Sequence, residues 1–206
     1  GDVYKRQGEI TLKDLDIKLK SRIVNVIKLH SHSLFTEKVE REIDLVDGKF
    51  EFGKENILKV AVVERHNKTG NIGLGLVENF GLEKGAIAST IAHDSHNIIV
   101  IGDSDEDILK AIKEIERMGG GITIVSDRKV VKSLPLAIAG LMSDDSLEYV
   151  NNEFKEMLNI AYEKLNVNSE IDPFMTLSFI ALPVIPEIKI TDLGLFDVKE
   201  FKFIDI

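Results

Sequence analysis

The pattern of apolar and polar positions along the chain predicts a buried sheet. Residues 57–63 are almost continuously apolar and rich in β-branched side chains, which is typical of a strand covered on both faces. Residues 21–30 mix apolar and polar side chains at strand spacing and lead to a turn signal at 46–49, a pattern that predicts an edge region of the sheet leading inward. Shorter apolar runs predict further strands at 98–101, 122–125 and 129–134.

Two segments carry apolar residues at helical spacing. The first begins after Ser104, which can cap a helix, and stops at Gly119, which favours the left-handed conformation of a helix end. The second has an apolar stripe, should begin near Ser143 or Asp144, and should end at Asn166. The succession of strands and helices predicts an α/β fold in which helices cover a mixed sheet, with an α+β arrangement as the alternative.

The tail of the chain has a different pattern. Residues 172–186 are dense in large apolar side chains but are interrupted by Pro183 and Pro186. Because proline breaks regular backbone hydrogen bonding, we expect this segment to be buried and irregular.

Composition narrows the functional classes. The 206 residues include 26 Lys and Arg against 35 Asp and Glu, a net charge of -9, which argues against a nucleic-acid partner because phosphate binding needs a basic surface. The absence of cysteine excludes thiolate catalysis and cysteine-held zinc. No apolar run approaches the roughly 20 residues of a membrane span. The chain opens without Met or a secretory signal, and residues 1–7 are interpreted as a processing or assembly scar of a fragment.

Histidines form two pairs and one single residue. In the first pair, His30 and His32 are one residue apart, so on a strand both imidazoles would face the same side, as they do in some metal sites. The segment that follows, 36–38, is polar and typical of a solvent-side strand end. We therefore interpret this pair as structural.

The second pair, His93 and His96, lies in the polar segment 92–97, directly before the predicted strand 98–101. Polar groups at the entrance of a buried strand are costly unless each finds a partner, so their concentration favours a functional loop. The imidazoles could ligate a metal, donate to a ring nitrogen of a ligand, or move a proton. The alternative is a hydrogen-bond network that only fixes the loop.

A charged segment, 64–71, follows the most apolar strand at its carboxyl end, the edge of an open α/β sheet where ligands usually bind. It is a candidate wall of a pocket. The alternative, which the pattern alone favours, is an ordinary turn with Glu64 and Arg65 on opposite faces and solvated.

Glycines at 70, 73 and 75 resemble half of a dinucleotide-binding fingerprint. The match fails because Glu78 stands at the third glycine position, where a carboxylate would repel a pyrophosphate. We therefore interpret the glycines as turns and close backbone approaches.

Four blocks of sequence, taken together and in order, resemble the C-terminal region of bacterial adenine deaminases, which belong to the amidohydrolase superfamily. The blocks are residues 64–75 (ERHNKTGNIGLG), 85–97 (GAIASTIAHDSHN), 134–143 (LPLAIAGLMS) and 172–198. The resemblance extends from Ser21 to the end of the chain.

The resemblance implies a hydrolytic reaction in which a metal, manganese or iron, activates the water that attacks adenine, so that ammonia leaves and hypoxanthine results. In that family the metal ligands lie on a (β/α) barrel, which needs about 200 to 250 residues by itself. We therefore expect this chain to be a domain appended to the barrel and inactive when isolated. Adenine as substrate, the protein's own barrel as partner, a homo-oligomer and a cytoplasmic role in purine salvage are expected on the same ground.

The resemblance also implies roles for the two polar segments. The candidates for closing the purine pocket are His93, Asp94, Ser95 and His96. The candidates for substrate contact are Glu64, Arg65, His66 and Asn71. Ligation of an additional metal by His93 and His96 is a further alternative.

Two other functional classes stay open. The domain could be structural, with residues 134–142 and the proline-rich tail forming an oligomer or interdomain interface, or it could be a small-molecule binding module without a catalytic role. The expected organisation is a lead-in at 1–20, an edge-strand region from a preceding small β domain at 21–50, and the C-terminal domain at 51–206.

Overall fold

An eight-stranded sheet forms the centre of the computed structural model, which describes residues 9–46, 48–52 and 56–206. The strands, in chain order, are β1 (Ile23–Leu29), β2 (Thr36–Glu42), β3 (Leu45–Val46), β4 (Lys49–Phe50), β5 (Ile57–Val63), β6 (Ile72–Glu78), β7 (Ala86–Ser89), β8 (Ile98–Gly102), β9 (Gly121–Ser126), β10 (Lys129–Pro135), β11 (Ile188–Thr191), β12 (Gly194–Asp197) and β13 (Lys202–Ile204). The helices are α1 (Asp105–Met118), α2 (Leu147–Leu165) and α3 (Pro173–Ile180), with a short 3-10 helix at Leu12–Leu15.

The main sheet is mixed, as predicted, but most of its strands are antiparallel. Its strand order is β10-β9-β7-β8-β5-β6-β1-β2. Strands β1 and β6 run parallel, and the other neighbours run antiparallel. Smaller sheets join β3 with β4, and β11 with β12 and β13. The predicted mixed sheet covered by helices is therefore confirmed, in an arrangement close to the α+β alternative.

Strand β5 is buried along its whole length, as its apolar sequence predicted. Val60 and Val62 contribute to the core on one face, where α2, α3 and the β11 to β13 sheet pack. Ala61 and Val63 contribute to the core on the other face, which α1 covers. Each face of the sheet thus has its own apolar layer.

Helix α1 begins and ends where the sequence predicted. The Ser104 hydroxyl oxygen accepts a hydrogen bond from the backbone N–H of Asp107 at 3.2 Å, which satisfies one of the free donors of the first turn. Gly119 ends the helix in the left-handed conformation, with φ of 78°. Between these ends, the helix buries Ile108, Ala111, Ile112 and Ile115 against the sheet.

Helix α2 ends at the predicted residue but begins later than predicted. Ser146 is the cap, because its hydroxyl accepts a hydrogen bond from the N–H of Tyr149 at 3.2 Å. The predicted cap, Ser143, instead accepts a hydrogen bond from the N–H of Asp145 in the preceding turn, at 3.1 Å. The apolar stripe predicted for this helix starts with Leu147, which is 85% exposed. The fully buried residues of the helix are Met157, Ala161 and Leu165.

The prediction that the tail is irregular is wrong for residues 173–180, which form α3. Asp172 caps the helix by accepting hydrogen bonds from the N–H groups of Phe174 and Met175, at 3.0 and 2.9 Å. Pro173 occupies the first turn, where its missing N–H costs nothing. The predicted burial holds for Phe174, Leu177 and Ile180.

The glycine-rich segment forms a central strand, β6, so the interpretation of Gly73 and Gly75 as turn residues is wrong. The interpretation as close approaches is confirmed. A Cβ at Gly73 would lie 1.8 Å from the carbonyl oxygen of Thr191, and one at Gly75 would lie 3.0 Å from the side chains of Ile190 and Leu195. The β11 to β13 sheet therefore rests directly on β6 because this strand lacks side chains at those two positions.

The predicted domain boundaries stay predictions. Strands β1 and β2 belong to the same main sheet as β5 to β10, and β3 pairs with β4 on either side of the predicted turn. Asp47 of that turn, and the supposed scar at residues 1–7, lie outside the described residues.

Lys189 is a buried cation in the layer that rests on β6. Its side chain is fully buried on β11, and its ammonium donates a hydrogen bond to the carbonyl of Leu34 at 3.0 Å. Burial lowers the pKa of Lys189 from 10.5 to about 8, because a low-dielectric environment disfavours the charged form.

We predict that Lys189→Met removes a pH dependence of stability. Between pH 8 and 10.5 the unfolded chain binds more protons at Lys189 than the folded chain does, so the free energy of unfolding of the wild type should rise with pH in this range. Urea denaturation at several pH values measures this free energy of unfolding. The advantage of Lys189→Met over the wild type should be largest at pH 8 and below, and should shrink towards pH 10.5.

The matched control is Lys155→Met on the exposed side of α2. Its difference from the wild type should not change over the same pH range. A difference between Lys189→Met and the wild type that is constant from pH 7 to 10.5 would contradict the assignment.

Candidate functional site

The two polar segments singled out in the sequence meet at one edge of the main sheet. Because β5 pairs antiparallel with both β6 and β8, the end of β5 lies beside the starts of β6 and β8. Segments 64–71 and 92–97 are therefore neighbours. The His66 Nε2 lies 2.8 Å from the carbonyl oxygen of Ser95. We call His66, His93 and His96 the histidine cluster.

Arg65 joins these segments to a third part of the chain. Its Nε donates a hydrogen bond to the carbonyl of His96 at 2.5 Å, and its Nη2 donates to the carbonyl of Ala139 at 2.8 Å. Its backbone N–H donates to the Oδ1 of Asn97 at 3.3 Å. Arg65 and Glu64 are each only 5% exposed. The interpretation that Glu64 and Arg65 are solvated is therefore wrong, whereas residues 66–70 of the same segment are exposed.

The Glu64 carboxylate organises its own loop. It accepts hydrogen bonds from the backbone N–H groups of His66, Asn67 and Thr69 at 2.5, 2.6 and 3.0 Å. Burial opposes ionisation of Glu64, but these hydrogen bonds outweigh it, and the pKa of Glu64 is lowered from its ordinary value. Its two oxygens serve the loop itself, so the contacts give Glu64 a structural role.

His93 and His96 lie in the β7–β8 loop, where His93 contacts α3 and the ring of His96 contacts the ring of His93. The backbone N–H of His93 donates to the carbonyl of Ser178 on α3 at 3.0 Å, and its ring packs on Phe179 with centroids 4.9 Å apart. The ring of His96 lies edge-on to that of His93, with centroids 5.5 Å apart. Helix α3 therefore supports the histidine cluster through His93.

The Nδ1 of His96 is a buried polar atom with no hydrogen-bond partner among residues 9–46, 48–52 and 56–206. Burial, followed by the proximity of His93 and Arg65, lowers the pKa of His96 from its ordinary value of 6.5. The imidazole is therefore neutral at pH 7, and one of its nitrogens can accept a hydrogen bond or ligate a cation.

Of the remaining predicted site residues, two are exposed and one makes a hydrogen bond that joins two parts of the fold. Asp94 and Ser95 are exposed at the tip of the loop. Asn71, predicted to contact substrate, donates from Nδ2 to the carboxylate of Asp192 at 3.1 Å. This hydrogen bond ties the start of β6 to the turn between β11 and β12.

The first histidine pair lies at the opposite edge of the sheet. Strand β1 runs parallel to β6, so its end lies beside the end of β6 and away from the histidine cluster. The His30 Nε2 is 3.2 Å from a carboxylate oxygen of Glu37. The backbone N–H of His32 donates to the carbonyl of Glu170. These contacts fit the structural interpretation of the pair.

A complete metal site is not formed by the part of the chain that the structure describes, where no group of three or more His, Asp or Glu side chains is arranged to hold an ion. His93 and His96 offer two imidazoles. Ligation by this pair stays a prediction, and it would require further ligands from outside the described residues.

Thr90 and Gly140 belong to the site but were not singled out in the sequence. The Thr90 hydroxyl donates to the carbonyl of Gly140 at 2.5 Å. Gly140 has φ of 73°, and a Cβ there would lie 3.0 Å from the Nη1 of Arg65. The available signal was the block 134–143, in which a lone glycine interrupts an apolar run.

All four sequence blocks thus supply atoms to one place, through Arg65, His96, Ala139 and Ser178. The family profile described as "Adenine deaminase C-terminal domain" matches residues 33–202. The chain belongs to this family. The resemblance inferred from the four blocks is therefore confirmed.

Curated relatives match nearly the whole chain. It is 54% identical to "Adenine deaminase" of Clostridium acetobutylicum over 98% of its length, which is 37% of that relative. It is 51% identical to "Adenine deaminase 2" of Carboxydothermus hydrogenoformans, covering 35% of it. It is also 51% identical to "Adenine deaminase" of Nitratidesulfovibrio vulgaris, covering 32% of it. The chain therefore spans about a third of the length of these relatives.

Among the described helices of this adenine deaminase C-terminal domain, none combines the length and apolar character needed to span a membrane.

We predict that Glu64→Gln destabilises the domain. The amide NH2 would face N–H donors that now meet a carboxylate, so the free energy of unfolding at pH 7 should fall by about 1–3 kcal/mol. Because the pKa of Glu64 is lowered on folding, its contribution is present above pH 4.5 and is lost as pH falls through the folded pKa. Urea denaturation at pH 7 and at pH 3 measures both effects.

Glu163→Gln on the exposed side of α2 is the matched control and should leave stability within about 0.5 kcal/mol of the wild type. If Glu64→Gln and Glu163→Gln unfold alike at pH 7, the structural role of Glu64 is wrong.

Proposed function

We propose that this chain is the C-terminal part of a metal-dependent adenine deaminase, in which adenine and water give hypoxanthine and ammonia. The family match and the names of the relatives support the proposal. A cytoplasmic role in purine salvage follows from the same likeness. Manganese or iron is the proposed metal, held outside the described residues, whose side chains do not form a complete site for it.

The contribution proposed for this chain is to close the purine pocket with the β7–β8 loop. The observation that carries the proposal is the unpartnered Nδ1 of His96. Leaving a buried polar atom without a hydrogen bond costs about 1–3 kcal/mol. The rest of the full-length protein, or its substrate, is therefore the expected source of a partner for this atom.

The roles of the individual side chains follow from their surroundings. His96, neutral at pH 7, would hold a hydrogen bond to a purine nitrogen or to a polar group of the catalytic region. Asp94 and Ser95, exposed at the tip of the loop, would cover the bound purine and exclude water. His66, exposed beside Ser95, is the substrate-contact candidate whose ring lies nearest that tip.

We predict that His96→Ala lowers kcat/KM for adenine in the full-length polypeptide about 10- to 100-fold, which corresponds to one lost hydrogen bond in the transition state. Metal content per polypeptide, measured on the same samples, separates the roles. Loss of metal would indicate that His96 is a ligand, and retained metal would indicate a pocket-closing role. The 206-residue chain alone provides the background rate.

His30→Ala is the matched control, because it removes the same side chain at the opposite sheet edge and should leave kcat/KM unchanged. Wild-type kinetics and metal content in both His93→Ala and His96→Ala would reject the pocket-closing role of the loop.

A second candidate function, an interface, is favoured by an apolar groove of about 390 Å³. The groove lies beside the histidine cluster, because Ile91 lines it two residues before His93. Met142 and Leu147 at its rim are 59% and 85% exposed. The groove lies partly within residues 134–142, the segment expected from its sequence to form an interface.

If the groove joins two copies of the chain, as a homo-oligomer requires, sedimentation analysis should show concentration-dependent dimers, and Leu147→Glu should abolish them. Ile23→Glu, at an apolar residue that is 58% exposed and does not line the groove, should not. A wild-type chain that stays monomeric at all concentrations would argue against self-association through this groove.

A further inference from the structure

Arg65 sits where three separate segments meet, and its guanidinium is enclosed by backbone. It binds the carbonyls of His96 and Ala139, two residues that are 43 positions apart in the chain. Each of these two hydrogen bonds aims at a carbonyl oxygen, so together they fix the direction of the planar guanidinium. A buried side chain with this contact pattern is suited to hold backbone in place.

The enclosure is shaped for a flat group. Gly140 approaches so closely that a Cβ on it would lie 3.0 and 3.1 Å from the two terminal nitrogens of Arg65. The Thr90 hydroxyl, at the end of β7, donates a hydrogen bond to the Gly140 carbonyl oxygen at 2.5 Å. A planar guanidinium fits beside this backbone and donates in two directions at once, which a lysine ammonium on a flexible stem does not reproduce.

The backbone of His96 needs such support. Its φ is 52°, a left-handed conformation that costs a residue with a Cβ about 1–2 kcal/mol. The N–H of His96 donates to the carbonyl of Ala92 at 2.6 Å, and its own carbonyl receives the Arg65 Nε. Hydrogen bonds on both sides of the residue therefore hold the conformation that buries Nδ1.

We infer that Arg65 is a positioning residue: its guanidinium clamps the His96 and Ala139 carbonyls and thereby holds the His96 imidazole in its working orientation. The inference rests on the proposed function of the β7–β8 loop. It replaces the sequence-based expectation that Arg65 contacts substrate with an indirect role. The Arg65 charge has a second effect, since after burial and His93 it contributes to the lowered pKa of His96.

The test uses Arg65→Ala and Arg65→Lys in the full-length polypeptide, with kcat/KM for adenine measured against pH. Arg65→Ala should lower kcat/KM about 10- to 100-fold, matching His96→Ala, and added guanidinium ion should restore part of the loss. The acid limb of its pH profile should move to higher pH, because removing a nearby positive charge raises the pKa of His96. Arg65→Lys keeps the charge but not the two-directional clamp, so it should lower kcat/KM without moving the limb.

Arg41→Ala is the matched control. It removes an arginine that pairs with Glu78 at 2.7 Å, away from the histidine cluster, and it should leave kcat/KM and the pH profile unchanged. If Arg65→Ala does not fold, Arg65→Lys decides, and wild-type kcat/KM in that variant would overturn the inference.

The remaining outcomes separate the inference from the proposed function. Impaired His96→Ala together with wild-type Arg65→Ala would overturn the positioning role and leave the proposed function intact. Wild-type activity in both variants would overturn the proposed function as well. A raised KM with unchanged kcat and an unmoved acid limb in Arg65→Ala would show direct substrate contact, which also overturns the inference.

Discussion

The burial of β5 and β8 on both faces is the constraint on which the rest of the structure depends. β8 is apolar throughout and β5 is apolar except for Lys59, so each strand needs cover above and below. Helix α1 supplies one side, and α2, α3 and the β11 to β13 sheet supply the other. The polar residues after β5 and before β8 cannot continue into such a sheet. Antiparallel pairing then leaves them together at one edge, which is where the histidine cluster forms.

The parts of the fold that local patterns encode could be predicted from the sequence. The continuous apolar run of β5 and the Ser104 and Gly119 ends of α1 are examples, because a buried strand and a capped helix each have a signature within a few residues. Strand β6 could not be predicted, since Gly73 and Gly75 serve the approach of a sheet formed more than a hundred residues later. Helix α3 was not predicted, because the prolines of the tail suggested irregular backbone. A proline in the first turn of a helix, however, is compatible with that helix.

In the candidate site, too, local patterns could be predicted from the sequence and tertiary contacts could not. The density of polar residues at 92–97 predicted a loop before β8, and the structure places a loop there, because polar groups before a buried strand are unusual wherever they occur. The functional role of this loop stays a prediction. The burial of Arg65 could not be predicted, since the carbonyls that receive it belong to His96 and Ala139, and no local pattern links those residues. A charged run is usually solvated, and only the tertiary structure shows that Arg65 of this run connects three segments of the chain.

Membership of the adenine deaminase C-terminal domain family and the unpartnered Nδ1 of His96 lead to one account, in which the loop completes a purine pocket formed with the rest of the protein. The most direct test is a structure of the full-length polypeptide with hypoxanthine bound. The account predicts a polar atom of the purine or of the catalytic region within about 3.2 Å of the His96 Nδ1. A loop that faces bulk solvent, with the His96 Nδ1 still unpartnered, would contradict it.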